Sequence, residues 1–546
     1  GNVQHAQFTG VEACAVDIAD IPAAVASLRA AFDSDKTLSL SWRKEQLRAL
    51  KTMMVEGQEE LAAAMQQDLN KSAFESWATE ISLVVSECEE AIAHLDEWNA
   101  PQYTKTSGLN WPAGSYTQRD PLGVVHVMGA WNYPVQLTLA PVVGAIAGGN
   151  CVLIRPGSYA VETSHAICRL VDKYLDKECI KVTEGDRHLT AKILHERFDL
   201  IVFTGSEFVG KLVAEAAAKH LTPTILELGG KSPTIVDRSA HLTHAAERIV
   251  WATFLNSGQT CVRPDFALVH EDVADEFISI MKTTVKNFYT SNPQKSDWYG
   301  RIINPKAFER LADLVEKSKS AIAIGGRTDA GERFIEPTVM DFGADLEAFA
   351  AQPIMQDEIF GPLLPMARYR NIDEVVEFVR KLPTGKPLAL YCYARDNRVI
   401  DTISHRTTSG GLCINDSIMH LANHELPFGG IGRSGMGNYH GHHSFKSFTH
   451  EKAVLRKYPF IDEMPGMKQL LGARFPPYNG FKEMAVKLFG SRPVMVAMNL
   501  PIGQVVPVVK KAVMALALAR LCGWKVQVKK VHNGFNVMIV KIVSRL

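Results

Sequence analysis

The sequence predicts an α/β protein with two doubly wound domains in series, a bridging arm and a C-terminal extension. Three observations carry that expectation. Short apolar runs alternate with helix-period stretches from residue 123 onward, the βαβα pattern of a parallel sheet covered on both faces. The alternation restarts after "KSPTIVD" at 231–237. The chain has 546 residues, more than one core usually accommodates.

The first hundred residues read helical. "IPAAVASLRAAF", "SWRKEQLRALKTMMVEGQEELAAAMQQDL" and "ESWATEISLVVSECEEAIAHLDEW" repeat apolar residues at helical spacing with charges between. Strand and helix then alternate through "GVVHVMGA", "PVQLTLAPVVGAIAGG", "CVLIRP", "VETSHAICRLVDKYL", "FDLIVFTG", "SEFVGKLVAEAAAKH" and "PTILELGG". The second unit reads as helices at 242–257, 271–288, 305–317 and 372–381, with strands at "DFALVHED", "SAIAIGG" and "PLALYCYA".

Composition is that of a soluble globular protein, 46% hydrophobic and 22% charged. Nine cysteines are scattered without a CxxC pair. That argues against a disulfide framework or a zinc site and for a reducing compartment. Residues 1–20 are mixed polar and acidic, so no signal peptide is expected. The zero net charge hides an asymmetry. Residues 461–546 hold 13 Lys and Arg against 3 Asp and Glu; residues 1–460 hold 46 against 56.

Five segments carry chemistry. Cys261 sits in "FLNSGQTCVRP"; alone it reads as a small core residue. Glu227 ends a strand before two glycines in "ELGGKSP", a carboxyl-end crevice position suited to a general base. In "FTGSEFVGK", Gly205 ends a strand, Ser206 can cap the next helix, and Gly210 allows close packing. Such a helix start is ready for a pyrophosphate. Asn132 in "GAWNYPVQ" can donate to a developing oxyanion. "QDEIFGP" offers Glu358 and Phe360 before a turn.

Together these segments, in this order and spacing, resemble the aldehyde dehydrogenase superfamily. "AAAKHLTPTILELGGKSP", "GGLCINDSIMH" and "LPFGGIGRSGMGNYHG" are similar to its class 3 branch, which includes fatty aldehyde dehydrogenases. The resemblance spans about residues 22–460. It implies two Rossmann-like domains: 1–225, binding NAD(P) and carrying the N-terminal helices, and 226–414, catalytic. Residues 415–460 are then the return segment and bridging arm, and 461–546 the basic, apolar extension. It implies oxidation of medium- or long-chain aliphatic or aromatic aldehydes to acids. Cys261 matches the nucleophile, Glu227 the base and Asn132 the oxyanion donor. Trp131, Arg155, Ser158, Gly205, Ser206, Gly210, Glu358 and Phe360 match cofactor contacts. A homodimer, no metal and no nucleic acid are expected. The other readings are an acylating relative that transfers to coenzyme A and a non-catalytic structural relative. Intact Glu227 argues against the first, and intact Cys261 and Glu227 against the second.

Where the family commonly has Lys-Pro-Ser-Glu, this chain has "RPGS" at 155–158. Arg accommodates a 2′-phosphate that an acidic residue repels, which leans the cofactor toward NADP or dual use. Glu207 leans the other way. "YHGHH" (His440, His442, His443) and the pair His420 and His424 read as a polar surface loop. The tail has apolar runs at 493–509, 512–519 and 535–543, too broken by Pro and Lys to span a bilayer. Its basic charge suits an anionic membrane surface. The final "SRL" resembles a peroxisomal address; the alternatives are the endoplasmic reticulum surface and the cytoplasm.

Overall fold

The computed structural model describes residues 20–107, 110, 113–185, 187–459, 471–489, 525–529 and 539–543. One compact unit holds the described residues up to Trp98 together with Asp120–His450; a second holds Asn99–Arg119 and the described residues from Glu451 on.

Among its described residues the first unit contains two large sheets and a two-stranded one, in which Thr328–Asp329 pairs with Phe334–Ile335. The six-stranded sheet runs in the order Gly435–Met436, Thr224–Glu227, Leu200–Thr204, Val124–Met128, Cys151–Arg155, Ile180–Val182. All its pairings are parallel except the first, where Gly435 lies opposite Glu227. Its central strands are buried along their whole length, as a sheet covered on both faces requires. The crossover helices Gln136–Ala147, Val161–Tyr174 and Glu207–Ala218 fall where the apolar periodicity puts them.

The seven-stranded sheet runs Ile322–Ile324, Thr338–Asp341, Leu363–Tyr369, Phe266–His270, Pro233–Val236, Ala389–Tyr393, Gly411–Ile414. Only its first pairing is antiparallel. The chain leaves one sheet at Glu227 and enters the other at Pro233. Residues 228–232 therefore join carboxyl and amino ends of adjoining sheets, the kind of switch point where α/β folds bind ligands.

Two helices end earlier than their periodicity suggests. The run at 41–69 breaks into Leu40–Glu56 and Gln58–Leu69 at Gly57, whose backbone leaves helical geometry at φ −87°, ψ 3°, and where a Cβ would come within 2.8 Å of Leu170. The helix expected over 242–257 stops at Phe254, because Asn256, Ser257 and Gly258 turn left-handed. The helix expected from 271 begins at Ala274 after a short turn.

In the second unit, Gln102–Thr104, Ala113–Pro121 and Thr449–Lys457 form a three-stranded sheet. A helix spans Gly480–Phe489, and Lys525–Lys529 pairs antiparallel with Ile539–Val543. Among the described residues no helix is long and apolar enough to cross a membrane. The runs at 493–509 and 512–519 and the terminal Ser-Arg-Leu lie outside the described residues.

Candidate active site

The Cys261 loop is built from strained backbone pinned by side chains. Asn256 and Ser257 hold φ of 51° and 52°, a conformation that costs about 1–3 kcal/mol at each non-glycine position. Glu75 compensates by accepting the Asn256 N–H at 2.9 Å. The Asn256 amide donates to the Asn132 carbonyl at 2.7 Å. Gln259 donates to the carbonyls of Asn256 and Arg301, both at 3.0 Å, and accepts the Ile303 N–H at 2.9 Å. The Tyr133 and Thr260 hydroxyls meet at 2.7 Å, and the Tyr391 hydroxyl donates to the Val262 carbonyl at 2.5 Å. Cys261, inside this frame, keeps partial exposure. Burial pushes its thiol pKa up, and the charges of Glu358 and Glu227 push the same way; the N–H groups of Cys261 and Val262 oppose them.

Glu227 ends its strand fully buried, and neither carboxylate oxygen has a hydrogen-bond partner. Burial raises its pKa well above the ordinary carboxylate range. Opposite it, Gly435 has φ 149°, and a Cβ there would lie 2.1 Å from the Leu226 carbonyl oxygen. Only glycine permits that approach. Asn132 donates one amide hydrogen to the Gln259 carbonyl at 3.0 Å. This ties the expected oxyanion donor to the Cys261 loop.

Glu358 and Phe360 are locked by a buried ionic knot. Lys231 bonds Asp265 at 2.5 Å and the carbonyls of Ile354 and Asp357 at 3.0 and 3.1 Å. Asp265 also takes Arg263 at 2.9 Å and the Ile359 N–H at 3.1 Å. The knot fastens the 354–360 turn to the strand entered after Cys261. Glu358 lies against Gly229, where a Cβ would sit 2.0 Å from its Oε2. Its Oε1 is buried without a partner, and burial, then Asp265, raises its pKa to about 8. The Phe360 ring meets Trp131 edge-on at 5.4 Å.

The remaining predicted contacts sit at the carboxyl ends of the six-stranded sheet. Ser206 caps Glu207–Ala218, accepting from the Val209 N–H at 3.4 Å. Gly205 donates its N–H to the Glu227 carbonyl at 2.9 Å. Gly210 lets the helix close on Leu228, which a Cβ would meet at 2.6 Å. Arg155 is buried and donates to the Gly185 carbonyl at 3.0 Å; Ser158 is exposed. Glu207 is held by Arg433, with contacts from 2.8 to 3.1 Å, and by Lys211 at 2.8 Å. Its charge is therefore offset on the protein. These features fit a dinucleotide: a capped helix start for the pyrophosphate and an orphaned Glu358 oxygen for ribose hydroxyls.

Sequence reasoning missed the supports. Lys71 and Glu80 form a fully buried pair at 2.5 Å. Glu80 accepts the N–H groups of Val135 and Gln136 at 2.8 and 3.2 Å, and Lys71 lies 4.2 Å from the Tyr133 ring centre. The π-helical turn Trp77–Ile81 sets their relation, and no regular period reveals it. The histidine expectation needs correction. Tyr439 and His440 are buried, and burial pushes His440 and His420 down to about 4. His424 bonds Glu87 at 2.9 Å. Tyr439 and His440 are therefore core, with His440 stacked on Phe428 and the Gly441 N–H bonded to Glu87, whereas His420 and His424 are half-buried. Among the described residues no three His, Cys, Asp or Glu are grouped to hold a metal ion.

Two largely parallel sheets joined just after Glu227, with a partly exposed thiol, the buried Glu227 and a capped phosphate-type turn, fit a dinucleotide-dependent oxidoreductase. The aldehyde dehydrogenase family model matches residues 5–454. Aldehyde dehydrogenase family 3 member B1 of Rattus norvegicus is 41% identical over 451 residues, covering 83% of this chain and 93% of that protein. A Canis lupus familiaris protein named "Aldehyde dehydrogenase, dimeric NADP-preferring" is 40% identical over 449 residues, covering 82% and 96%. The substrate-bound structure of Staphylococcus aureus AldH matches with TM-score 0.82 at 39% identity, covering 86% of this chain and 99% of that one. The chain belongs to the aldehyde dehydrogenase family. It is an NAD(P)-dependent enzyme that oxidises aldehydes to carboxylic acids.

Proposed function

We propose that Cys261 is the nucleophile, Glu227 the base and Asn132 the oxyanion donor of this oxidation. The observation that carries the assignment is a partly exposed thiol whose electrostatic neighbours include Glu227, a buried acid without any hydrogen-bond partner. The Cys261 sulfur adds to the aldehyde carbon, and the carbonyl oxygen takes up the electron pair. The second Asn132 amide hydrogen and the Cys261 N–H stabilise that oxygen. Glu358, Phe360, Trp131 and the Gly205–Ser206 turn would hold NAD(P), which would supply the hydride acceptor for oxidation to the thioester level. Glu227 then removes a proton from water as its oxygen attacks the thioester carbon. The C–S bond breaks, releasing the acid and the thiol.

The substrate class is medium- or long-chain aliphatic or aromatic aldehydes. Tyr391, bonded to Val262, lies edge-on to His420 at 6.1 Å. On the same segment, 411–426, Ile414, Met419 and Leu426 expose apolar side chains. Both cofactors serve, because Arg155 replaces the usual Lys and no carboxylate stands at position 158. Initial rates over an aldehyde chain-length series with each cofactor test this. Arg155→Ala is expected to raise the KM for NADP more than that for NAD. A hundredfold preference for NAD, about 2.7 kcal/mol, would overturn the cofactor reading.

The chain is a homodimer whose C-terminal extension touches anionic membrane. The exposed edge strand Thr449–Lys457 supports the first. The excess of basic residues after 460 supports the second.

A further inference from the structure

We propose that Cys151 and Cys179 form a reversible redox site that closes a disulfide when the enzyme meets a peroxide. Cys151 opens the strand Cys151–Arg155, and Cys179 immediately precedes Ile180–Val182. The two strands are parallel with Val152 opposite Ile180, so the cysteines stand opposite each other. The Val152 N–H donates to the Cys179 carbonyl at 2.8 Å. Neighbouring strands lie about 4.8 Å apart, within the range of roughly 4.4–6.8 Å that a disulfide spans between Cα atoms. Residues opposed in this way share a face of the sheet. Both are free, buried thiols whose titrations are linked to each other.

The pair is asymmetric. Interaction with Cys151 holds the Cys179 thiol below its usual pKa against the opposing effect of burial, and the same interaction with burial pushes Cys151 up. Lys36, bonded to Asp176 and Glu178 at 2.7 Å each, adds positive charge that favours the Cys179 thiolate, while those two carboxylates act against it. One sulfur is thus set to attack and the other to resolve. A surface depression of about 530 Å³ is lined by Lys177, Glu178 and Lys181, which flank Cys179 in sequence. Neither thiol is among the residues proposed above for aldehyde oxidation. The strand that Cys151 opens ends at Arg155, so the link would fix the start of a strand that reaches the cofactor crevice.

The chemistry balances with hydrogen peroxide as oxidant. Cys179 sulfur attacks one peroxide oxygen, the O–O bond breaks, and a sulfenic acid and water form. Cys151 sulfur then attacks the oxidised sulfur. The S–S bond forms, the S–O bond breaks, and a second water leaves with the Cys151 proton. The thiols lose the electron pair that the peroxide gains.

The test uses the full-length, fully reduced enzyme. It is titrated with hydrogen peroxide, denatured in an alkylating agent, digested and mapped by mass spectrometry. The expected product is a peptide pair joining Cys151 to Cys179 that dithiothreitol reverses. In Cys151→Ser, Cys179 should instead be trapped as a sulfenic acid by dimedone. Recovery of both cysteines as alkylated thiols while Cys261 oxidises would overturn the proposal. So would linkage of Cys179 to any other cysteine.

Discussion

Glu227 has no hydrogen-bond partner in the crevice, and that isolation sets its chemistry. Burial raises its pKa, so the anion proposed as the base is lost as pH falls through a value above the ordinary carboxylate range. The steady-state rate should therefore rise with pH through that value. Glu227→Gln should abolish this limb and slow turnover by about 10²–10⁴-fold. The first-turnover burst of reduced cofactor should survive. Stopped-flow absorbance over a pH series reads both, and loss of the burst would move Glu227 into the attack step. At this scale the sequence was legible where residues are contiguous: Cys261 and Glu227 stand in compact motifs. It was not legible for His440, which is buried against Phe428 and faces the charge of Glu87 on a helix far away in sequence.

At the scale of elements, the left-handed turn at Asn256–Gly258 depends on the short helix Ala73–Ser76 for its Glu75 bond. Burial raises Glu75 from 4.5 to about 7. Folding favours its protonated form, so this contribution to stability is complete below about 4.5 and is lost as pH rises through about 7. At about 1.36 kcal/mol per unit, the shift from 4.5 to about 7 corresponds to roughly 3 kcal/mol at most. Glu75→Gln keeps an oxygen for the Asn256 N–H and removes the titration. Its melting temperature should exceed that of wild type above pH 8 and converge with it toward pH 5. A difference independent of pH would contradict this. Apolar period exposed the helices and parallel strands. It did not expose their stops at Phe254 and Glu56, which backbone turns and packing decide.

At the scale of the molecule, two sheets meet where Glu227 hands the chain to Pro233, and the supports of the Cys261 loop come from distant segments. The sequence showed the two α/β units but not the three-stranded sheet that draws on Gln102–Thr104, Ala113–Pro121 and Thr449–Lys457. Those strands are short or polar and carry no clear alternation. An exposed edge strand invites pairing with a second copy. Sedimentation velocity should show twice the chain mass, and a monomer at micromolar concentration would contradict a dimer. The central claim is that aldehyde oxidation passes through a covalent bond to Cys261. Its most direct test mixes Glu227→Gln with a long-chain aldehyde and NAD(P), quenches in acid, and maps peptides by mass spectrometry. The predicted result is the acyl group as a thioester on Cys261, absent when Cys261→Ala is added. Reduced cofactor formed without an adduct, or an adduct on another residue, would contradict it.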